Sequence, residues 1–359
     1  MSAHVLVIAE AGVNHDGSLE QALRLVDVAA DAGADVVKFQ TFRAERVAAA
    51  SAAKARYQAE TTGGGQGQLA MLRRLELTPA MHAALVARAR ERGIEFLSTA
   101  FDTESLDFLV RETGIVRVKV PSGEITNGPF LLHVARTGLP VIVSTGMATL
   151  DEVREALGVL AFGWTREGAP RSRADFAAAL ADERGARAVR ERVTVLQCTT
   201  EYPAPFADVN LRAMDTLAAA FGTAVGLSDH TAGIAASLAA VARGATLVEK
   251  HFTLDRTLPG PDHRASLEPD ELRALVAGVR AVGAALGSAE KRPAPSEEGN
   301  RAIARRALVA ARPIRAGEPY TSENVTAKRP AHGLSPMEFW DVLGRAAPRD
   351  LAADEELPS

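Results

Sequence analysis

A single cysteine, Cys198, stands among 359 residues. One thiol excludes an intramolecular disulfide and suits a reducing, cytoplasmic setting. No apolar run approaches the length needed to cross a bilayer. No basic segment followed by an apolar core precedes the first strand-like stretch, so the start does not read as a secretory signal. Neither sign of charge dominates: 41 Lys and Arg stand against 45 Asp and Glu, a formal net charge of −4. That removes the polyelectrolyte argument for nucleic acid. No glycine-rich dinucleotide turn follows any apolar run, which counts against a doubly wound sheet.

What is present is one phrase repeated eight times. Each repeat is a short apolar run, then a helical pattern. The runs are Val5–Ala9, Asp35–Gln40, Glu95–Thr99, Val116–Val120, Pro140–Ser144 and Val193–Cys198, then Gly226–His230 and Val248–His251. Helix starts are marked by Ser18 with Gln21, by Thr78-Pro79, by Thr103, and by Thr149 with Glu152. Gly33, Gly93, Gly244 and Gly287 mark helix ends. Eight strand-then-helix units predict a (β/α)8 TIM barrel over 1–287.

Polar residues crowd the C-terminal ends of those runs. Glu10, Lys38, Gln40, Thr99, Asp102, Lys119, Ser122, Glu124, Ser144, Tyr202, Asp229, His230 and His251 all fall there. In a closed barrel these positions converge on one mouth. His230 and His251, on neighbouring strands, make a half-set of ligands for a divalent metal, with Asp229 and Glu249 beside them.

Two stretches interrupt the rhythm. Residues 41–77, with Gly63-Gly-Gly65 inside, read either as a lid over the mouth or as a solvated loop. Residues 163–192 read as an added surface helix of mixed charge. After Gly287 a proline-stiffened linker spans 288–300, and 301–359 reads as short β segments forming a small β-rich domain.

The order and spacing of several phrases carry a resemblance. They are Ile8-Ala-Glu-Ala-Gly-Val-Asn-His15, Val37-Lys-Phe-Gln-Thr-Phe42, Val120-Pro-Ser-Gly-Glu124, Ser144-Thr-Gly-Met-Ala-Thr149 and Thr200-Glu-Tyr-Pro203. Gly226-Leu-Ser-Asp-His230, Glu249-Lys-His-Phe-Thr253, Gly260-Pro-Asp-His263 and Lys328-Arg-Pro330 complete the set. Over its whole length the chain resembles the sialic acid synthase family, enzymes that make N-acetylneuraminate and related nonulosonic acids. The resemblance implies a barrel followed by an antifreeze-like (SAF) domain.

It further implies condensation of phosphoenolpyruvate with an N-acetylmannosamine-type sugar, giving N-acetylneuraminate and phosphate. The alternative acceptor is 2,4-diacetamido-2,4,6-trideoxymannose, giving N,N'-diacetyllegionaminate. Lys38, Lys119, Thr99, Ser122, Ser144, Thr200 and Ser228 are then expected to hold the trianionic cosubstrate. A divalent ion, Mn2+ foremost with Mg2+ or Co2+ as substitutes, is expected on His230 and His251 to polarise the aldehyde. Glu10 or Glu124 is expected to take a proton from water. Glu124, Tyr202 and Asp262 match the family's sugar contacts, with Gln40 placing the sugar or the metal's waters. Arg329 is expected to reach the acetamido group in the partner subunit's barrel, which makes a domain-swapped homodimer the active unit. Outside this reading stand a related barrel synthase acting on a phosphorylated sugar and a sugar-binding module without turnover.

Overall fold

The apolar runs form buried strands because both faces of each are covered, one by the barrel interior and one by helices. A computed structural model describes residues 4–49, 51–62, 67–329 and 332–358. The strands are β1 (Leu6–Gly12), β2 (Val36–Thr41), β3 (Glu95–Ala100), β4 (Val118–Val120), β5 (Val141–Ser144), β6 (Val193–Cys198), β7 (Ala224–Asp229) and β8 (Leu247–His251). They form one parallel sheet in the order β3-β2-β1-β8-β7-β6-β5-β4. Pairing of β1 with β8 rolls the sheet round. β3 and β4 then lie side by side at the seam that the hydrogen-bond ladder does not cross.

Register sets the site. Glu10 lies level with Lys38 on one side and with His251 on the other. Gln40 pairs with Thr99, Cys198 with Ser228, and Ser228 with Glu249. The β1–β2 register slips between Glu10 and Gly12, at a glycine whose φ of +53° disfavours any side chain. A Cβ on Gly12 would also press on His251 Cε1 at 3.3 Å and Glu10 Oε1 at 3.4 Å.

The helix signals act through the expected atoms, with some differences. Thr78 caps Pro79–Arg92 by accepting from Met81 N, and Thr149 and Glu152 complete a reciprocal capping box. Ser18 caps Leu19–Asp31, but the Gln21 amide oxygen has no partner, so only half of that box forms. The helix expected from Thr103 runs Thr103–Phe108, and Asp102 caps it, accepting from Ser105 N at 2.9 Å. That helix widens into a π-turn over Leu109–Thr113 before Gly114 ends it. The stretch 163–192 holds two helices, Arg173–Ala181 and Glu183–Arg192, where one was expected. The described part of 41–77 carries three short helices, Ala44–Val47, Arg56–Thr62 and Gln68–Arg73. The glycines Gly63–Gly65 lie outside the described residues.

The chain divides into two compact units, Met1–Gly287 and Ser288–Ser359. The second has an antiparallel pair, β9 (Ala307–Ala310) and β10 (Val325–Lys328), over its own small core of Leu308, Ile314, Val325, Leu351 and Leu357.

A clasp fastens the start of the barrel to its last helix, Pro269–Leu286. Asp35 accepts from Val7 N at 2.7 Å and from Arg280 Nη2 at 2.8 Å, and meets His4 Nε2 at 2.7 Å. Burial would raise the Asp35 pKa, but Arg280, the Val7 amide and His4 outweigh it and hold it below the ordinary value. A depressed carboxyl stabilises the fold above its unfolded pKa of about 3.9, and that stability is lost as pH falls through the folded value. Asp35→Asn is therefore expected to cost about 1–2 kcal/mol at pH 7 and less at pH 3. Denaturant titrations at both pH values check this; an equal loss at each would refute the ionic account.

Candidate active site

The strand-end side chains meet in a cavity of about 250 Å3 at the C-terminal mouth of the barrel. Glu10 comes from β1, Lys38 and Gln40 from β2, Thr99 from β3, Lys119 from β4 and Ser144 from β5. Ser228 comes from β7 and His251 from β8, while Ser122, Thr200, Tyr202, His230 and Asp262 come from the connections beyond strand ends. A roomier cleft of about 970 Å3 lies elsewhere on the barrel unit, lined by residues between 125 and 221. Its Arg154, Glu155, Arg173 and Arg190 are exposed, so it lacks the desolvated charges that reactivity requires.

The floor is an alternating array of four buried charges. Lys38 Nζ lies 2.6 Å from Glu10 Oε2 and 3.7 Å from Glu249 Oε2. Lys119 Nζ lies 3.4 Å from Glu249 Oε1. All four residues are 5% exposed or less. Hydroxyls tie the array down: Lys38 donates to Thr99 Oγ1 at 2.8 Å, Lys119 to Ser144 Oγ at 2.6 Å, and Ser228 to Glu249 Oε1 at 3.0 Å. Glu10 Oε2 and Glu249 Oε2 both face the Lys38 ammonium.

The two carboxylates are driven apart. Burial, only partly offset by Lys38, pushes Glu10 up. For Glu249 burial is outweighed by Lys119 and Lys38, and its pKa falls. Burial likewise fails against Glu10 and Glu249 at Lys38, which is held above the ordinary lysine value. At Lys119 burial wins and the pKa drops. Glu249 is thus the fixed anion, and Glu10 the group able to gain or lose a proton.

The two histidines stand at one edge, ring centroids 5.6 Å apart. His230 Nδ1 lies 2.7 Å from Thr199 O, which directs its proton there and leaves Nε2 for another partner. Burial, with His230 and Lys38 nearby, pushes His251 far below the ordinary value, so it is neutral. Its Nδ1 is buried and unpartnered. These donors fit a borderline divalent ion. Among the described residues no group of three or more His, Cys, Asp or Glu is arranged to hold one. An ion on this pair would draw its other ligands from water and substrate. Tyr202 stacks on His230 with centroids 4.1 Å apart and meets His251 edge-on at 5.5 Å.

Opposite Glu10, Ser122 Oγ accepts from Gly146 N at 2.9 Å. A Cβ on Gly146 would sit 2.2 Å from Thr200 Oγ1 and 2.8 Å from Ser122 Oγ, so only glycine fits this hydroxyl-lined corner. Asp262 is buried at the rim, and burial pushes its carboxyl up to about 6. Its loop is pinned by His263, whose Nε2 lies 2.9 Å from Asp16 Oδ2 and whose Nδ1 lies 2.6 Å from Thr253 Oγ1.

Some expected residues stand apart. Glu124 is half-buried in the turn Ser122–Glu124, accepts from Asn127 Nδ2 at 2.7 Å, and does not line the cavity. Arg329, expected to act in the partner subunit's barrel, belongs to the second unit and is exposed. Asp229 turns away from the mouth: it accepts from Thr231 N and from the Thr231 and Ser237 hydroxyls, and pairs with Lys250 at 3.0 Å. Asp102 is spent as a helix cap.

Other residues join the site unannounced. Glu249 is central although only its proximity to His251 was legible. The helix Arg56–Thr62 brings Tyr57, whose ring packs on Tyr202 at 4.9 Å, and Thr61 donates to Pro261 O at 3.4 Å. Of the two readings of 41–77, the described part covers one flank of the mouth. Tyr57 was the available signal, as one of only three tyrosines.

The NeuB family model matches residues 25–291, and the SAF domain model matches residues 305–358. The N,N'-diacetyllegionaminic acid synthase of Campylobacter jejuni is 47% identical over 350 residues, covering 98% of each chain. The protein of the same name from Legionella pneumophila is 42% identical, covering 98% of this chain and 92% of its own. A crystal structure of the N-acetylneuraminic acid synthetase from Leptospira borgpetersenii matches with a TM-score of 0.67 and 32% identity, covering 83% of this chain and 90% of the other. No helix among the described residues is long and apolar enough to cross a membrane.

Asp229 and Lys250 make a buried pair whose role is to hold the strand ends. Lys250→Met is expected to cost about 3–5 kcal/mol, because it leaves an uncompensated buried carboxylate. Adding Asp229→Asn, which removes the charge but keeps an oxygen for Thr231, should recover much of that loss, as judged by urea midpoints; no recovery would show that the lysine matters for packing, not charge.

Proposed function

The chain belongs to the NeuB family, and from that premise we propose that it condenses phosphoenolpyruvate with 2,4-diacetamido-2,4,6-trideoxymannose to give N,N'-diacetyllegionaminate and phosphate. The family's chemistry makes it a phosphoenolpyruvate-dependent, carbon–carbon bond-forming synthase of nonulosonic acids. The choice of acceptor is carried by the two full-length relatives at 47% and 42% identity, both N,N'-diacetyllegionaminic acid synthases. This shifts the first expectation, N-acetylmannosamine, to second place, where the Leptospira structure keeps it. The single-cysteine composition supports a cytoplasmic reaction.

The buried array suits the anionic cosubstrate. Two lysines and two carboxylates nearly cancel, so a bound trianion needs added positive charge or a proton. A protonated Glu10 leaves both lysines facing one fixed anion, Glu249. In this reading Lys38 and Lys119 hold the carboxylate and phosphate, with Thr99, Ser122, Ser144, Thr200 and Ser228 donating hydrogen bonds. Gln40, Tyr202 and Asp262 line the sugar's path; Glu124, apart in the free chain, would reach the sugar only from the rim. His230 and His251 would hold a divalent ion, Mn2+ by preference, which would supply Lewis-acid polarisation of the aldehyde.

The methylene carbon of the enol bonds to the aldehyde carbon as Glu10 gives its proton to the aldehyde oxygen, which becomes a hydroxyl. Water then adds to the cationic central carbon and returns a proton to the ionised Glu10; as the carbon–oxygen bond to phosphate breaks, the new hydroxyl's proton leaves with the phosphate and a keto group remains. The active unit in this reading is a homodimer, with Arg329 presenting a forked donor to the acetamido carbonyl in the partner's barrel.

Phosphate release is measured with phosphoenolpyruvate, Mn2+ and each sugar in turn. Turnover should favour the diacetamido sugar by kcat/KM and stop in chelator. A preference for N-acetylmannosamine overturns the acceptor, and full activity in chelator overturns the metal. For the dimer, two inactive proteins are mixed under subunit exchange, Arg329→Ala and His230→Ala. Up to about half the activity should return per heterodimer, since one of its two sites is whole; none returning refutes completion in trans.

A further inference from the structure

The cavity has two chemically unlike flanks. Charges and imidazoles, with most of the hydroxyls, come from the strand ends and the connections just beyond them. Prolines aside, the aliphatic and phenylalanine side chains on its lining come from the other flank: Val13, Phe42, Val47, Met71, Leu72, Leu75 and Phe101. Apart from Val47, these residues form a hydrophobic cluster separate from the barrel core, with Phe42 and Phe101 edge-on at 6.0 Å. Met71, Leu72 and Leu75 come from the interruption between β2 and β3, not from the barrel proper.

Of the polar side chains of that interruption on the lining, Gln58 and Tyr57 are engaged with each other. Gln58 Nε2 donates to the Tyr57 hydroxyl at 3.3 Å, and Gln58 Oε1 accepts from Ala55 N at 3.1 Å. A ligand group pressed against Met71 and Leu72 meets mainly carbon, with Gln68 the one amide of that helix on the lining. A buried hydroxyl without a partner is penalised, whereas a methyl group gains from the same contact.

We propose that the wall built on Met71 and Leu72 is a specificity determinant that selects acceptor sugars ending in methyl over those ending in hydroxymethyl. The proposal rests on the reading that this cavity binds an open-chain acylamino sugar. The aldehyde reacts at the charged floor, so the far end of a six-carbon chain lies away from it. The apolar flank is the part of the cavity that matches a deoxy carbon. An apolar surface rejects an added hydroxyl only moderately, by about 10- to 100-fold. The wall thus discriminates without needing a polar contact to the sugar's end.

The test uses sugar pairs differing only in the terminal hydroxyl, at saturating phosphoenolpyruvate so that effects at the anion end do not enter. The pairs are 2,4-diacetamido-2,4,6-trideoxymannose with its 6-hydroxy form, and 6-deoxy-N-acetylmannosamine with N-acetylmannosamine. The natural chain should prefer the deoxy member of each pair it turns over by about 10- to 100-fold in kcat/KM. Leu72→Gln should shrink that ratio at least about fivefold, and Leu72→Ile should keep it. No deoxy preference in either pair overturns the proposal without need of a variant, and so does an unchanged ratio in a folded Leu72→Gln protein. Use of the mono-acetamido pair alone would sink the acceptor proposed above, yet leave the wall to be judged on that pair.

Discussion

The alternating array Glu10–Lys38–Glu249–Lys119 is the constraint on which the rest of the mouth depends. Four charges taken out of water are tolerable only while each faces its opposite. Their separations of 2.6, 3.7 and 3.4 Å follow from four strands held in one register. A one-residue slip in any of them would turn a charge into the outer helical layer. Closure of the barrel through β1 and β8 is therefore also what makes the site electrically tolerable.

Burial makes the same array reactive. Glu10 and Glu249 are both carboxylates at the end of a strand, yet their pKa values move in opposite directions. Glu249 sits between two ammonium groups; Glu10 has one close cation and feels its fellow carboxylate. One fold thereby keeps a permanent anion and a proton-exchanging group within the same small space. The neutral His251 beside them keeps a buried, unpartnered nitrogen.

Much of this was legible from the chain. The eight apolar runs, and the polar residues punctuating their ends, read directly as a parallel barrel with one loaded mouth. Thirteen of the residues expected at the barrel mouth line the cavity; Asp102, Glu124 and Asp229 do not. Asp102 and Asp229 misled for a shared reason. Short carboxylates near a strand end also cap helices and satisfy turns, and spacing does not reveal which partner they find. The apolar flank was hidden for another. Met71, Leu72 and Leu75 look like core residues of a helix, and which core they join is a question of tertiary contact.

Sequence by itself determined the periodicities: which residues are strand, where helices begin, and which side chains arrive at strand ends. These are local properties, set by backbone sterics and by the alternation of apolar and polar groups. Tertiary structure alone decided which charges face each other, which carboxylate is ionised, and what lies over the mouth. Those outcomes depend on distances between residues far apart in the chain and on the water excluded from between them, and no local pattern encodes either.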